Sequence, residues 1–270
     1  MVASLDYISP LVSGIIVALA SWLPIGPEGH AVSGLLESLA PSYGDYLVPS
    51  YLGIIFAVLF YFKNLIALDT QSAIKGRVSS DLRYFFYASI FTILIGYPVI
   101  RGLEDAVSPA TSDLINAVIG LLLIALGLIY RGRKLAPLED VEGRIREDEN
   151  EATLLDSIVS GITQGAALIG SVSRSGLVLL GLSSTGIDVK RALELSFLVA
   201  PVYFVLKLLF MTWNPELPVS LLFTAFLSAF VVSLITMKLL LKMAEALGRR
   251  RFLIVFGSIA VVVYLLGVMM

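Results

Sequence analysis

The stretch Gly170-Ser171-Val172-Ser173-Arg174-Ser175-Gly176 sets one guanidinium and three hydroxyls inside an otherwise apolar run from Ile158 to Ile187. An arginine placed there needs a partner, because a charged side chain at membrane depth is costly and marks a candidate site. Its fork of donors matches a pair of phosphate oxygens, serine hydroxyls add donors, and glycines let a backbone approach an anion closely. The pattern predicts a buried phosphate clamp, with Arg174, Ser173, Ser175 and Gly176 as its members.

The chain around this stretch is built for lipid. Of 270 residues 57% are hydrophobic and 15% charged, with a mean hydropathy of +0.91, which is too apolar for a soluble domain. We expect a single polytopic membrane domain over residues 1–270. The net charge of -2 says little, since the charges sit in a few short connections. The absence of cysteine excludes disulfides and thiolate metal sites. Residues Met1 to Pro10 have no cationic segment and are expected to belong to the mature fold rather than to a cleaved leader.

Six apolar stretches approach the length needed to span: Leu47 to Phe62, Tyr84 to Ile100, Leu114 to Tyr130, Ala192 to Thr212, Leu217 to Met237 and Phe252 to Met270. Two more, Leu11 to Leu39 and Leu154 to Ile187, are interrupted. The first contains Pro24, Gly26, Pro27 and Gly29; the second contains Gly161, Gly165, Gly170 and Gly176. Broken helices lining an enclosed cavity fit these better than plain spans.

The interrupted stretches also look like copies. At a shift of 147 residues, Val12-Ser13-Gly14-Ile15 falls on Val159-Ser160-Gly161-Ile162, Ala20 on Ala167, Gly29 on Gly176, and Gly34-Leu35 on Gly181-Leu182. That is eight identities in twenty-four positions, enough to divide the chain into halves at 1–130 and 157–270 joined by a charged linker at 131–156. Basic residues cluster after Phe62, after Tyr130 and after Met237, which puts those connections on the cytoplasmic side. Threading the spans through these sides places the first broken region externally and the second cytoplasmically, so the repeat is inverted. A site is then expected where the two breaks meet. The fold class is all-α, a polytopic membrane protein with about six transmembrane helices and two re-entrant or broken helix pairs in an inverted-topology repeat.

The first break, Leu23-Pro24-Ile25-Gly26-Pro27-Glu28-Gly29-His30, holds the only histidine of the chain and a carboxylate two residues away. If the breaks meet, His30 faces the Ser-Arg-Ser stretch as a candidate nucleophile, acid or base, against its reading as a hydrogen-bonded structural residue. Glu28 could orient His30, position a water, bind a divalent cation such as Mg²⁺ or Ca²⁺, or simply pair with Arg174. Gln164 either cross-links helices or points its amide at the site. Lys207, near the external end of its span, is explained by snorkelling. Nothing resembles a nucleic-acid surface, a P-loop or a zinc site.

These residues carry a resemblance. Trp22-Leu23-Pro24-Ile25 followed by Gly29-His30, and Ser173-Arg174-Ser175-Gly176 preceded by Gly161-Ile162-Thr163-Gln164, resemble the two signature regions of undecaprenyl-diphosphate phosphatases of the bacitracin-resistance type. The similarity continues through Tyr51-Leu52-Gly53 and Glu194-Leu195-Ser196-Phe197-Leu198. It implies a plasma-membrane, multi-pass enzyme that removes the terminal phosphate of a polyprenyl diphosphate to recycle a glycan carrier lipid. By position Arg174 and Ser173 would hold phosphate and His30 would belong to the reaction centre. The chain departs from the family pattern at the chemistry. Two glutamates ahead of the Leu-Pro are matched by Val17 and Ser21, a Ser-Ser-Thr by Gly26-Pro27-Glu28, a Pro-Gly by Gly170-Ser171, and a threonine by Val178.

Two functions follow as expectations. In the first, a polyprenyl-diphosphate phosphatase grips its substrate with Arg174, Ser173 and Ser175 and uses His30 and Glu28 as nucleophile or acid and base. In the second, a catalytically degenerate relative binds or translocates a polyprenyl phosphate lipid. The expected partners are that lipid and the bilayer, and no nucleic acid. Gly-rich helix faces would allow a homodimer, though no residue pattern requires one.

Overall fold

The computed structural model describes residues 7–40, 42–76, 78–103, 106–129, 151–211 and 216–269. Ten α-helices follow one another among them: α1 Ile8–Trp22, α2 His30–Leu39, α3 Leu47–Tyr61, α4 Lys63–Ile74, α5 Ser80–Gly102, α6 Pro109–Ile129, α7 Leu154–Ala166, α8 Arg174–Ser184, α9 Val189–Phe210 and α10 Val219–Met269. Five stretches are long and apolar enough to cross a membrane: Tyr43–Tyr61, Ser80–Gly102, Pro109–Ile129, Val189–Phe210 and Val219–Met269. The protein is an all-α, multi-pass membrane protein.

The two expected spans near the C-terminus form one helical element of 51 residues, which would be about 76 Å long if straight, more than twice a bilayer core. It is not straight. Gly248, with φ 68° and ψ 167°, is non-helical, a conformation open to glycine for want of a Cβ. The arm before it starts beside Tyr46, where Leu221 and Ala225 pack, and reaches Lys190 through Glu245. The arm after it leaves Arg249 on the carbonyls of Ser183 and Ile187 and returns to bring Gly267 against Ala31. The chain doubles back at Gly248, giving the six passes the sequence predicts.

Small residues fix how the helices meet, as packing within a bilayer favours. Gly14 of α1 lies on Ala225, Ser228 and Ala229 of α10, and Gly161 of α7 lies on Ala88, Phe91 and Thr92 of α5. The two sets of partners have the same spacing and stand 137 residues apart. Gly120 of α6 and Gly257 of α10 are also 137 residues apart, and a Cβ on either would collide with the other's carbonyl oxygen. Equivalent residues that touch one another mark an approximate two-fold axis. Each broken pair is thus clasped by a long helix of the other half.

The offset of 147 residues in α1 and α7 becomes 137 in α5 and α10, and α4 accounts for the change. Between α3 and α5 the chain has 18 residues, between α9 and α10 only 8. In the sequence these residues are a basic connection after Phe62. α4 is a helix of 12 residues, about 18 Å long and so too short to cross, with Ile66, Leu68 and Ile74 exposed.

Charged groups gather at one end of the bundle. Arg191 at the start of α9 is ion-paired with Asp81 at the start of α5 and with Glu194 at 3.1 Å, and Lys190 with Glu245 at 3.0 Å. The expected linker 131–156 lies outside the described residues as far as residue 150. From there Thr153 and Asp156 form a reciprocal cap on α7, and Asp156, fully buried, also accepts from the Thr185 hydroxyl at 2.5 Å. Asp156 therefore belongs to the folded bundle rather than to a solvated linker.

Candidate functional site

The two breaks, 23–29 and 167–173, meet inside the bundle. Pro24 and Pro27 cannot continue α1, so the chain leaves the helix after Trp22 and re-enters at His30. Glu28 N–H donates to Ser171 Oγ at 3.0 Å, and the hydroxyls of Ser173 and Ser175 both donate to the Leu23 carbonyl, at 3.2 and 2.5 Å. Gly26 is required here, because a Cβ would collide with Ser171.

One face of α6 holds both loops. Asn116 accepts the Ser173 N–H at 2.7 Å through Oδ1 and donates to the Ser171 carbonyl at 3.1 Å through Nδ2, while Ser112 Oγ accepts the Ser171 N–H at 3.0 Å. Asp113 Oδ2 accepts the Ala31 N–H at 2.8 Å and so caps α2 from another helix. The sequence reading singled out none of these three. The available signal was an amide, a carboxylate and a hydroxyl at helical spacing next to a wholly apolar stretch, a combination that calls for buried partners.

Arg174 opens α8 with its side chain 3% exposed. Nη1 donates to the Ser196 carbonyl at 2.9 Å and to Gln164 Oε1 at 3.3 Å, and the guanidinium carbon lies 5.3 Å from the Trp22 ring centre and 5.7 Å from that of Phe204. Gln164 is fixed by its own amide N–H bonds, to Thr92 Oγ1 at 3.1 Å and the Val199 carbonyl at 3.2 Å. It therefore both cross-links helices and orients the arginine. Among the described residues Arg174 Nε–H and Nη2–H are buried without a partner, and so is Trp22 Nε1–H. Leaving such donors unpaired costs about 1–3 kcal/mol each, and this arrangement offers them to an anion.

Glu28 does not reach Arg174. Its carboxylate accepts from Tyr51 Oη–H at 2.5 Å and from Lys207 Nζ at 2.9 Å. The Lys207 side chain is only 5% exposed, which corrects the snorkelling reading: the ammonium turns inward because Glu28 and the Tyr51 ring, 5.5 Å away, receive it. His30 is exposed at the first position of α2 and Gly176 gives its N–H to Ser173 Oγ at 3.2 Å. Of the sequence-predicted residues, Arg174, Gln164, Ser173, Ser175, Gly176 and Glu28 converge on the two breaks, and His30 stands at their outer rim.

A divalent ion finds little here. Val17 is fully buried and apolar, and Ser21 turns its hydroxyl onto the Val17 carbonyl at 2.7 Å. Glu28 has a donor on each oxygen and Asp113 serves the start of α2. Among the described residues no three His, Cys, Asp or Glu side chains lie together as a ligand set. The residues present do not fit a divalent cation.

Comparison with known proteins agrees with this geometry. The chain is 30% identical to the undecaprenyl-diphosphatase of Methanopyrus kandleri, covering 96% of this chain and 97% of the relative. It is 28% identical to that of Sulfurisphaera tokodaii over 96% and 97%, and 27% identical to that of Methanococcoides burtonii over 93% and 96%. The family model of the bacitracin resistance protein BacA matches residues 10–264, and with the paired breaks and the buried arginine in place, the chain belongs to that family.

Proposed function

We propose that this protein is a polyprenyl-diphosphate phosphatase of the plasma membrane, releasing the terminal phosphate of a carrier lipid whose tail lies among the helices. The observation that carries the reading is Arg174, buried against two aromatic rings with two guanidinium nitrogens unpaired and, among the described residues, no carboxylate upon it. The names of full-length relatives supply the substrate class.

In this reading the open face of Arg174 takes two phosphate oxygens and stabilises charge as the bond to the bridging oxygen lengthens, the main term for a reaction of this type. Gln164 and the Ser196 carbonyl keep the guanidinium aimed. Ser173 and Ser175, whose hydroxyls now share the Leu23 carbonyl, add donors by rotating onto the phosphate. Glu28 is the candidate base for the attacking water, and His30, at the exposed rim, the candidate acid or proton carrier. The basic connections favour a cytoplasmic end opposite the first break, and with it action on the outer leaflet.

The test is phosphate release from a polyprenyl diphosphate by the purified protein in detergent or nanodiscs. Turnover that Arg174→Ala abolishes supports the reading. Intact lipid-phosphate binding without release above that variant refutes it.

A further inference from the structure

Resting on the phosphatase reading, we infer that Lys207 is a positioning residue which supplies at Glu28, as a fixed ammonium, the positive charge a divalent metal would otherwise supply, so that the phosphate chemistry of this chain takes no metal.

The chain disagrees with its family pattern at the carboxylates a metal would use. A hard dication seeks carboxylate oxygens and keeps several waters. The pattern's glutamate pair is here Val17 and Ser21, and the first break carries one carboxylate instead, Glu28. That carboxylate is already neutralised, by Lys207 Nζ on Oε2 at 2.9 Å and Tyr51 Oη–H on Oε1 at 2.5 Å. A dication on either oxygen would stand beside an ammonium that has nowhere to withdraw, since Lys207 is 5% exposed and lies over the Tyr51 ring. Like charges at such separations repel strongly where water is excluded.

The pair also does what a metal at this place would do to the protein. It ties the break at Glu28 to α9 through Lys207 and to α3 through Tyr51, while the Glu28 N–H ties it to the second break through Ser171. The carboxylate is thereby oriented on the side of Tyr51, whose ring meets that of Phe204 at 5.3 Å between centres, and Phe204 in turn lies 5.7 Å from the Arg174 guanidinium carbon. The Lys207 ammonium acts through Glu28 rather than on the substrate.

The test uses the full chain in detergent, with Mn²⁺ as the probe. Wild type is expected to take up no stoichiometric Mn²⁺ by electron paramagnetic resonance titration and to keep its phosphate release in EDTA. Lys207→Met should lose turnover by about 100-fold, the effect of misplacing one group, through kcat more than KM. Lys207→Arg, which keeps the charge, should retain more of that turnover than Lys207→Met and stay EDTA-insensitive. Should Lys207→Met fail to fold, wild type against Glu28→Gln still decides. One Mn²⁺ per wild-type chain that Glu28→Gln removes overturns the inference, and so does turnover lost in EDTA and restored by Mg²⁺. The Mn²⁺ titration needs no turnover, so it decides this point even where the phosphatase reading fails.

Discussion

Arg174 and Lys207 are both buried cations beside the Phe204 and Tyr51 rings, yet their surroundings differ in one respect. Lys207 has a carboxylate at 2.9 Å, and among the described residues Arg174 has the Ser196 carbonyl and hydroxyl and the Gln164 amide oxygen, with two guanidinium nitrogens unpaired. Burying an ion is offset only by an opposite charge or by full hydrogen bonding. One cation is therefore paired within the protein, and the other keeps buried donors unpaired among the described residues.

The two cations should differ most in turnover. Arg174→Ala should lower phosphate release by about 100- to 1000-fold, the range for removing a preorganised donor to developing charge. Arg174→Lys should recover little of it, because an ammonium keeps the charge but not the fork. Equal losses in a lipid-phosphate binding assay would place the effect in binding. A larger loss in turnover would place it in the transition state.

On stability the two cations should move in opposite directions. Lys207→Met leaves the partly buried Glu28 carboxylate without its counter-ion and should cost about 1–3 kcal/mol, read as a lower thermal midpoint. The double variant Lys207→Met with Glu28→Gln should recover most of that, since removing both members of a pair can be near neutral. Arg174→Met, which deletes two unpartnered donors, should leave the midpoint unchanged or raised. A midpoint lowered as far as in Lys207→Met would show that Arg174 is held for structure.

Much of this arrangement was legible in the sequence. Pro24, Pro27 and Gly170 break their helices through local backbone chemistry, and hydrophobic length marks the spans, so both depend on neighbours in sequence. Arg174 stood out for the same reason, as a charge inside an apolar run. The partners did not. Glu28 and Lys207 are separated by 179 residues, and Lys207 near a span end has an ordinary explanation that only the folded chain removes. Asn116 was detectable as an amide at the edge of an apolar span, but its two contacts with the second break depend on how α6 packs. α4 went unseen because its polar and apolar residues follow no stripe that buries.

The two breaks differ in what supports them, and Asn116 tests this. Its side chain satisfies the Ser171 carbonyl and the Ser173 N–H together, so Asn116→Ala orphans two buried groups of the second break and none of the first. The expected cost is about 1–3 kcal/mol. Hydrogen exchange should report opening at 167–173 with 23–29 following only through the Leu23 and Glu28 bonds.

The smallest effect concerns the two helix starts. α8 is capped locally, with Ser173 Oγ accepting the Gly176 N–H at 3.2 Å, and α2 remotely, with Asp113 of α6 accepting the Ala31 N–H at 2.8 Å. Gly29, which precedes α2, offers no side-chain oxygen, and a Cβ there would strike the Asp113 carboxylate, so the remote cap and the glycine require one another. Asp113→Ala should therefore cost about 1 kcal/mol, the usual value of a lost cap, and Asp113→Asn, which keeps an acceptor, less. Because the carboxylate also joins α6 to the rim where His30 stands, the Asp113→Ala protein should exchange the amides of α2 faster while those of α8 stay protected. Equal exchange in both helices would mean that α2 is held by its packing on Gly267 rather than by its cap.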